Sequence, residues 1–275
     1  TWQDQTGQAS CMDASVGYYV GLTTQTSQQA CEAGKYQDTT GQSSCIEAAA
    51  GYYSPGTVNG TNVDSSVTTA AAAQIPCPAG TYQALTAQAS CDNAQPGNYS
   101  LGTYTVNGAP QPATSQTACE AGTYQPNSAQ SSCIDADAGY YAHSGTVSGD
   151  GAHEQQACET GKWQNETAQS ECKWAEVGYY SEGTTTLNGV VTNLANQQIP
   201  CSGGNYSGQG TSLAPGYSGA SSCTTALNGY YSNGTISVNG VIEPASEQIP
   251  CPAGTYQPYV AQSSCIDASA GFYAN

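Results

Sequence analysis

Thirteen cysteines are the residues of this chain best suited to do chemistry. Twelve of them form pairs of regular spacing, in which the second cysteine follows 14 positions after the first, or 22 in one case. Such regularity predicts disulfides, and therefore an extracellular or cell-surface location where thiols are oxidised. The simplest connectivity joins the members of each pair, as Cys31–Cys45, Cys77–Cys91, Cys119–Cys133, Cys158–Cys172, Cys201–Cys223 and Cys251–Cys265. Closing a loop of about 15 residues contributes roughly 3 kcal/mol to stability.

Metal binding and catalysis are the other chemistries that such residues could perform, and the pattern favours neither. The chain has no C-x-x-C motif and two histidines, His143 and His153, neither of which lies in a recurring motif. Zinc sites place ligands close together in sequence. Asp135 and Asp137 lack the dense oxygen ligands of a calcium loop, and a weak calcium site between repeats is left open. We predict that the protein is not an enzyme and holds no metal or cofactor.

The charge balance argues against several classes of partner. The formal net charge is −17, and Lys35, Lys162 and Lys173 are its basic side chains apart from the histidines. Nucleic acids and anionic membranes both require Lys and Arg, and no stretch of 18 apolar residues predicts membrane insertion of this segment. With one Phe and one Met, a small folding unit buries little apolar surface and depends on its disulfide.

Aligning the cysteine pairs shows a repeat that runs along the whole chain. Each repeat opens with C-x-x-G-x-[YW], usually followed by Gln, and its second cysteine is followed by Gly-aromatic-Tyr. The repeat at 201–250 carries an insertion at 207–222. Such periodicity predicts an array in which each repeat contacts mainly its neighbours. The predicted repeats are 31–76, 77–118, 119–157, 158–200 and 201–250, with partial repeats at 1–30 and 251–275.

Cys11 is left over after the other cysteines are paired. Trp2-Gln3 matches Tyr36-Gln37 of the following repeat, so the sequence starts within a repeat. We therefore expect the partner of Cys11 to lie upstream of Thr1. The alternative is that Cys11 is free and bonds a neighbouring subunit. We favour the first interpretation because both ends of the sequence fall within a repeat.

The segment between each Gly-aromatic-Tyr and the next cysteine varies in length, and we call it the arm. Several arms contain Asn-Gly between residues of high β propensity, at Asn59, Asn107, Asn188 and Asn239. Asn-Gly in this setting predicts a type I′ turn, because both turn positions need positive φ. No segment shows the 3.6-residue apolar period of a helix. The predicted fold is small and all-β, with short strands and hairpins in disulfide-stapled tandem repeats that form an elongated rod.

The succession C-x-x-G-[TK]-Y-Q, then GQSSC or AQSSC, then G-Y-Y resembles the ephrin-receptor-like cysteine-rich repeat, which is akin to tumour-necrosis-factor-receptor and EGF-like modules. The resemblance covers the whole chain and implies an extracellular disulfide fold, while saying little about function. That family has a third and a fourth cysteine in each repeat. Here the third position is Ala, at Ala14, Ala48, Ala94, Ala136, Ala175, Ala226 and Ala268. The fourth position is Gln, at Gln28, Gln74, Gln116, Gln155, Gln198 and Gln248. We expect this Gln to bond to the backbone at the junction between repeats, with the Ala packed beneath it.

Aromatic and asparagine positions within the repeat carry two further predictions. The second aromatic of Gly-aromatic-Tyr is always Tyr and is predicted to cover the neighbouring disulfide, while the variable first position faces solvent or a partner. A sugar-binding platform is the alternative role. Asn98 lies in the variable position and Asn205 lies before the C-x-x-G-x-Y aromatic, and both positions are predicted to face outward. The N-glycosylation sequons are at Asn59, Asn98, Asn165, Asn205 and Asn233.

Together these features predict a structural subunit of a glycosylated extracellular filament or surface appendage, such as a flagellar hair or secreted fibril. Its partners would be copies of itself in a polymer and attached glycans, with contacts made by arms and exposed tyrosines. The alternative is the stalk or ligand-binding ectodomain of a cell-surface receptor or adhesin, in which the insertion at 207–222 forms a ligand patch.

Overall fold

The computed structural model describes residues 1–22, 24–58, 61–62, 71–143 and 151–272. The chain folds into two compact units. The first consists of Thr1–Cys119, Gln125–Ile134 and Gly145–His153, and the second of Glu120–Tyr124, Asp135–Ser144 and Glu154–Asn275. The predicted repeat 119–157 therefore contributes to both units.

The first recurring element is the disulfide hairpin, which follows from the local order of its residues. The C-x-x-G turn leads into a two-residue strand that ends in an aromatic residue, and the two residues after the second cysteine form the antiparallel partner. The disulfide closes the loop beside this short pairing. The paired strands are Lys35–Tyr36 with Ile46–Glu47, Thr81–Tyr82 with Asp92–Asn93, Lys162–Trp163 with Lys173–Trp174, Asn205–Tyr206 with Thr224–Thr225, and Thr255–Tyr256 with Ile266–Asp267. The corresponding strands of the repeat 119–157 are Thr123–Tyr124 and Ile134–Asp135.

The second element is the stem hairpin, in which the two residues after the glycine of Gly-aromatic-Tyr pair with a strand just before the next cysteine. The whole arm lies between these two strands, so the stem hairpin holds the base of the arm. Its strand pairs are Tyr18–Tyr19 with Gln29–Ala30, Tyr52–Tyr53 with Ile75–Pro76, Asn98–Tyr99 with Thr117–Ala118, Tyr140–Tyr141 with Gln156–Ala157, Tyr179–Tyr180 with Ile199–Pro200, and Tyr230–Tyr231 with Ile249–Pro250.

Arms form a third kind of hairpin, as their Asn-Gly dipeptides predict. Asn107, Asn188 and Asn239 have φ of 50°, 51° and 51°, and the glycines that follow also have positive φ, as type I′ turns require. The Asn59-Gly60 turn lies outside the described residues. The arm strands are Thr57–Val58 with Thr61–Asn62, Tyr104–Val106 with Ala109–Gln111, Thr185–Leu187 with Val190–Asn193, and Ile236–Val238 with Val241–Glu243.

The interior of the described residues is made of small side chains and disulfides. The largest fully buried side chains are glutamine, cysteine and serine, and many large apolar side chains are exposed. Strands of two to four residues contribute every regular element, and the described residues contain no helix. None of the described segments therefore forms a helix long and apolar enough to cross a bilayer. The predicted class, small all-β with disulfide-stapled tandem repeats, is confirmed.

Candidate functional site at the junctions between repeats

All of the predicted disulfides are present. Each joins the two cysteines of one repeat across a Cα–Cα distance of 5.8 Å. Cys11 forms no disulfide with any described residue and is exposed. Trp2 and Met12 nevertheless form an antiparallel bridge, with both backbone bonds at 2.8 Å, in the register that Tyr36 and Ile46 adopt in the next repeat. The first partial repeat thus has the geometry of the disulfide hairpin.

The glutamine of C-x-x-G-x-[YW]-Q is buried and organises the loop that the disulfide closes. Gln125 is 3% exposed, and its Nε2 donates to the Ser132 carbonyl oxygen at 2.8 Å. Its Oε1 accepts from the backbone N–H of Asn127 at 3.1 Å. One side chain therefore satisfies two backbone groups of the loop, a role that the sequence did not predict. Gln37, Gln83, Gln164 and Gln257 make the equivalent pair of bonds.

Successive repeats are joined by the same three backbone hydrogen bonds at every junction in the described residues. The donors are the glycine of Gly-aromatic-Tyr, the residue after that tyrosine, and a residue in the disulfide loop of the next repeat. At one junction the N–H groups and carbonyl oxygens pair as Gly97 with Gln125, Ser100 with Gln130, and Ala129 with Ala94, at 2.7, 3.0 and 2.8 Å. Side chains take no part in these bonds, which join the backbone of one repeat to the backbone of the next.

The other junctions repeat this geometry with distances between 2.7 and 3.1 Å. The donor and acceptor pairs are Gly17 with Gln37, Val20 with Gln42 and Gly41 with Ala14; Gly51 with Gln83, Ser54 with Gln88 and Ala87 with Ala48; Gly139 with Gln164, Ala142 with Gln169 and Ala168 with Ala136; Gly178 with Ser207, Ser181 with Ala220 and Gly219 with Ala175; and Gly229 with Gln257, Ser232 with Gln262 and Ala261 with Ala226.

Close backbone contact explains the glycine of C-x-x-G. Gly80 has φ of +87°, and a Cβ added there would overlap the carbonyl group of Ala129 in the next repeat. Ala129 itself has φ of 58°, in the left-handed region that costs a non-glycine residue about 1–2 kcal/mol. Gly41 and Gly219 occupy the equivalent position in their repeats, with φ of 74° and 59°. At this junction, a residue in the left-handed conformation, Ala129, therefore lies in contact with a glycine of the preceding repeat, Gly80.

Glutamine at the position of the fourth cysteine bonds to backbone as predicted, but the predicted location of this bond, at the junction between repeats, is wrong. The Oε1 of Gln116 accepts from the backbone N–H of Gln95 at 2.8 Å, and the neighbouring Ala94 is fully buried. This bond closes the stem hairpin, so it acts within one repeat, while the carbonyl of the same Ala94 accepts the bond from the next repeat. Gln28, Gln74, Gln155, Gln198 and Gln248 make the equivalent bond at 2.6–2.9 Å.

The insertion at 207–222 lengthens the loop without changing the junction. Ser207 replaces the buried glutamine, and its buried Oγ has no hydrogen-bond partner among the described residues. Gln209 bonds the loop instead, since its Nε2 donates to the Ala214 carbonyl oxygen at 2.8 Å and its Oε1 accepts from the Gly216 N–H at 2.7 Å. The Ser218 hydroxyl lies 2.9 Å from the Glu176 carbonyl oxygen. The inserted loop therefore docks on the preceding repeat.

A second recurring motif, S-x-G-T after the stem tyrosine, was not predicted from the sequence. Ser100 donates its hydroxyl to the Thr81 carbonyl oxygen at 2.8 Å, and Gly102 lies with positive φ against the backbone at Pro78. The Thr103 hydroxyl donates to the Gly51 carbonyl oxygen of the preceding repeat and accepts from the Ala113 N–H at 3.0 Å. Alignment on the tyrosines would have shown the motif, which recurs at Ser181 and Ser232.

The outward orientation predicted for the variable aromatic position is wrong for Asn98. Its side chain is 3% exposed, and its Nδ2 donates to the Pro96 carbonyl oxygen at 3.3 Å. The short amide folds back on its own turn, whereas Tyr52 and Tyr140 in the same position are half-buried. The second tyrosine is also half-buried, and Tyr53 lines a cleft together with Cys91 of the next disulfide.

Tyr124, the aromatic of a C-x-x-G-x-Y motif, has a perturbed acidity. Burial, and then the carboxylate of Asp137, raise the pKa of its phenol above the usual value of 10.0. Both effects favour the neutral phenol in the folded chain. The contribution of Tyr124 to the free energy of unfolding is therefore present below pH 10, and it is lost as the pH rises through the raised pKa.

The sequons differ in accessibility. Asn165 and Asn233 are exposed, and Asn205 is half-buried with its Nδ2 3.2 Å from the Ser202 hydroxyl. A glycan on Asn98 would require its turn to open, because that side chain is enclosed. Asn59 lies outside the described residues. The exposed asparagines leave room for glycans, whose presence stays a prediction.

Two of the three lysines stack on tryptophans in the hairpin Lys162–Trp163 and Lys173–Trp174. The Nζ of Lys162 lies 4.5 Å from the Trp174 ring centre, and the Nζ of Lys173 lies 5.5 Å from that of Trp163. Lys162 also pairs with Glu159 at 3.1 Å. Such contacts contribute about 0.5–1 kcal/mol each at exposed sites.

Among the residues considered for catalysis and metal binding, Asp137 belongs to these features through its bonds with Gln155. His143 and His153 are exposed. Asp135 is exposed, while Asp137 accepts from the Nε2 of Gln155 at 2.9 Å. In the described part of the chain, no three His, Cys, Asp or Glu side chains gather where they could hold a metal ion. The recurring site of the described residues is the junction, at which the backbone of one repeat bonds to the backbone of the next.

Comparison with protein-family models and with curated protein sequences finds no match. The resemblance to the ephrin-receptor-like repeat therefore rests on the motif residues of this chain.

Proposed function

We propose that this chain is a structural subunit of a glycosylated extracellular filament or surface appendage, which assembles through repeat–repeat and arm contacts. The observation that carries the proposal is the set of three backbone hydrogen bonds that recurs at each described junction. A chain of repeats joined by the same junction can be extended to any length, because each repeat depends only on contacts with its neighbours. The proposed role is mechanical and involves no catalysis.

The chemistry of the repeat supports a role outside the cell. Six disulfides fit an oxidising environment, and each fixes a loop whose interior contains few apolar side chains. The exposed Asn165 and Asn233 would carry glycans on the subunit surface. We also propose that the repeat is a variant of the ephrin-receptor-like module, in which the Gln116 type of hydrogen bond replaces the second disulfide.

The stalk or ligand-binding ectodomain of a surface receptor or adhesin is the second candidate. The insertion at 207–222 favours it, because this loop departs from the repeat and presents exposed residues such as Tyr217. A binding loop on a regular scaffold is a common arrangement.

Electron microscopy of the glycosylated, oxidised chain distinguishes the candidates. We expect negatively stained preparations at increasing protein concentration to contain regular filaments that incorporate many copies. Discrete particles of constant size at all concentrations would overturn the filament proposal and favour the receptor or adhesin.

A further inference from the structure

The arm formed by Thr185–Leu187 and Val190–Asn193 is an isolated ribbon. Every residue from 185 to 192 is exposed, and no third described strand joins its two-stranded sheet. The outer edge of each strand therefore presents backbone N–H and carbonyl groups that another strand could bond. An exposed ribbon of this kind is a site for strand addition.

The tip of this ribbon is apolar. Leu187 and Val190 face each other beside the turn and are 65% and 66% exposed, and the adjacent Val191 is also exposed. Side chains of this size lose contact with water only when a partner covers them, and each fully buried one contributes about 1.5–3 kcal/mol. The ribbon thus offers both backbone bonds and apolar contact area.

Two other arms carry a proline or a charged residue in their strands, which this arm lacks. Natural edge strands are commonly blocked by proline, by charged residues or by bulges. Pro110 lies in the strand Ala109–Gln111, and Glu243 ends the strand Val241–Glu243. The arm at 185–193 has neither proline nor charge, and its one irregularity lies at the root, between Thr185 and Thr186.

The distribution of charge indicates what covers this arm. Residues 183–242 contain no Asp, Glu, Lys, Arg or His, although the chain has a formal net charge of −17. Two copies repel each other wherever their acidic surfaces approach, and this segment is where such repulsion is weakest. A second copy of the same chain can therefore approach there, whereas a basic partner would find no charge to recognise.

We propose that the arm at 185–193 binds the same arm of a second copy, edge to edge, as an antiparallel pair related by a two-fold axis. This inference rests on the proposed function and names one contact between copies; a two-fold contact joins two copies, so a filament uses this contact together with others. When a strand pairs with the same strand of a second copy, each copy contributes the same surface, as a two-fold contact requires. With Thr185–Leu187 as the pairing strand, the Leu187 side chains of the two copies lie on neighbouring strands of the joined sheet, close enough to contact each other.

Two matched substitutions test this contact in the full-length, oxidised chain. Leu187→Asp places a charge at the arm tip, and Leu85→Asp adds the same charge at a leucine that is 64% exposed in a disulfide loop. We expect Leu187→Asp to raise the dissociation constant of self-association at least about tenfold, because the two-fold contact then places two aspartates of like charge on neighbouring strands. Leu85→Asp should leave it within about twofold of the wild-type value. Sedimentation velocity over a concentration series measures both.

Each other result has a distinct meaning. If the wild-type chain associates and Leu187→Asp associates equally well, the arm contact is wrong and the filament proposal stands. If both substitutions weaken association to the same degree, general charge repulsion is the cause and the arm contact is again wrong. If the wild-type chain stays monomeric at every concentration, both proposals fail.

Hydrogen exchange gives a second readout of the arm contact. The backbone amides of 185–193 should gain protection on association, while Leu187→Asp should leave the exchange of the monomer unchanged elsewhere.

Discussion

Individual residues in this protein replace what a larger core would supply. The Gln125 type of glutamine bonds the inside of each disulfide loop, and the Gln116 type closes the stem hairpin. Both are uncharged side chains with a donor and an acceptor, so one residue can satisfy backbone groups that would otherwise be left unpaired. Alanine beneath the second glutamine is small enough to let the next repeat reach its carbonyl oxygen.

Replacing Gln116 with alanine should weaken the stem hairpin. The backbone N–H of Gln95 loses its acceptor, so we expect a loss of about 1 kcal/mol in local stability and faster exchange of that amide. Hydrogen exchange followed by mass spectrometry measures it. Gln130→Ala is the control, because the side chain of Gln130 bonds only locally, to the Ser128 carbonyl oxygen, and its backbone oxygen keeps the junction bond. Equal exchange in the two variants would contradict the proposed role of Gln116.

Replacing Gly80 with alanine should open the junction. The added Cβ meets the Ala129 carbonyl group and also strains a φ of +87°, so we expect a loss of roughly 3 kcal/mol or more. Gly108→Ala separates the two causes, because Gly108 has φ of +80° in an arm turn with nothing near its Cβ position. The control should lose about 1–2 kcal/mol. Urea unfolding measures both, and similar losses would show that close packing at Gly80 has no effect.

At the scale of the element, the disulfide hairpin and the stem hairpin have different closures. A covalent bond closes the first, and a glutamine hydrogen bond closes the second. A disulfide restricts the unfolded chain, whereas a hydrogen bond contributes only in the folded state. The insertion at 207–222 shows that the disulfide loop tolerates added length, because the Cys201–Cys223 bond keeps the same Cα–Cα distance.

Removing one disulfide should destabilise its own loop most. For the double variant Cys119→Ala and Cys133→Ala we expect a loss of about 3 kcal/mol and rapid proteolysis between residues 120 and 132. Limited proteolysis and thermal unfolding measure the effect. Cys11→Ala is the control, since Cys11 is exposed and forms no disulfide with a described residue. Unfolding of all repeats in one step in the double variant would contradict the expectation that the disulfide stabilises mainly its own loop.

For the whole molecule, net charge opposes association while the junction geometry and the uncharged segment 183–242 favour it. A formal charge of −17 on 275 residues keeps copies apart in solution of low ionic strength. Assembly of the proposed filament must therefore respond to conditions that weaken this repulsion.

Acid and salt should both promote association. The sequence pI is about 4.1, so lowering the pH towards that value neutralises carboxylates, and added salt screens those that remain. Static light scattering across pH 7 to 4.5, and across about 0.01–0.5 M sodium chloride at pH 7, measures the response. Dissociation on adding salt would instead show that attraction between opposite charges joins the copies.

Local sequence determined the elements and their covalent closure. Cysteine spacing predicted the pairings because a disulfide joins residues within one short loop, and Asn107-Gly108 predicted its turn because few other dipeptides accept two positive φ values. A backbone bond from Gln116 was also predictable, since Gln and Ala replace a pair of cysteines that the resembling family places there, but its location within one repeat was not.

Tertiary structure alone decided how one repeat meets the next. The three junction bonds run between backbone groups, so no side chain identifies the two partners from the sequence, and the contact between Gly80 and Ala129 depends on the return of the following loop. Burial of Asn98 could not be predicted from strand alternation, because a short side chain folds onto its own turn where tyrosine does not. Spacing along the chain specifies what is local, and the meeting of two backbones distant in sequence specifies the rest.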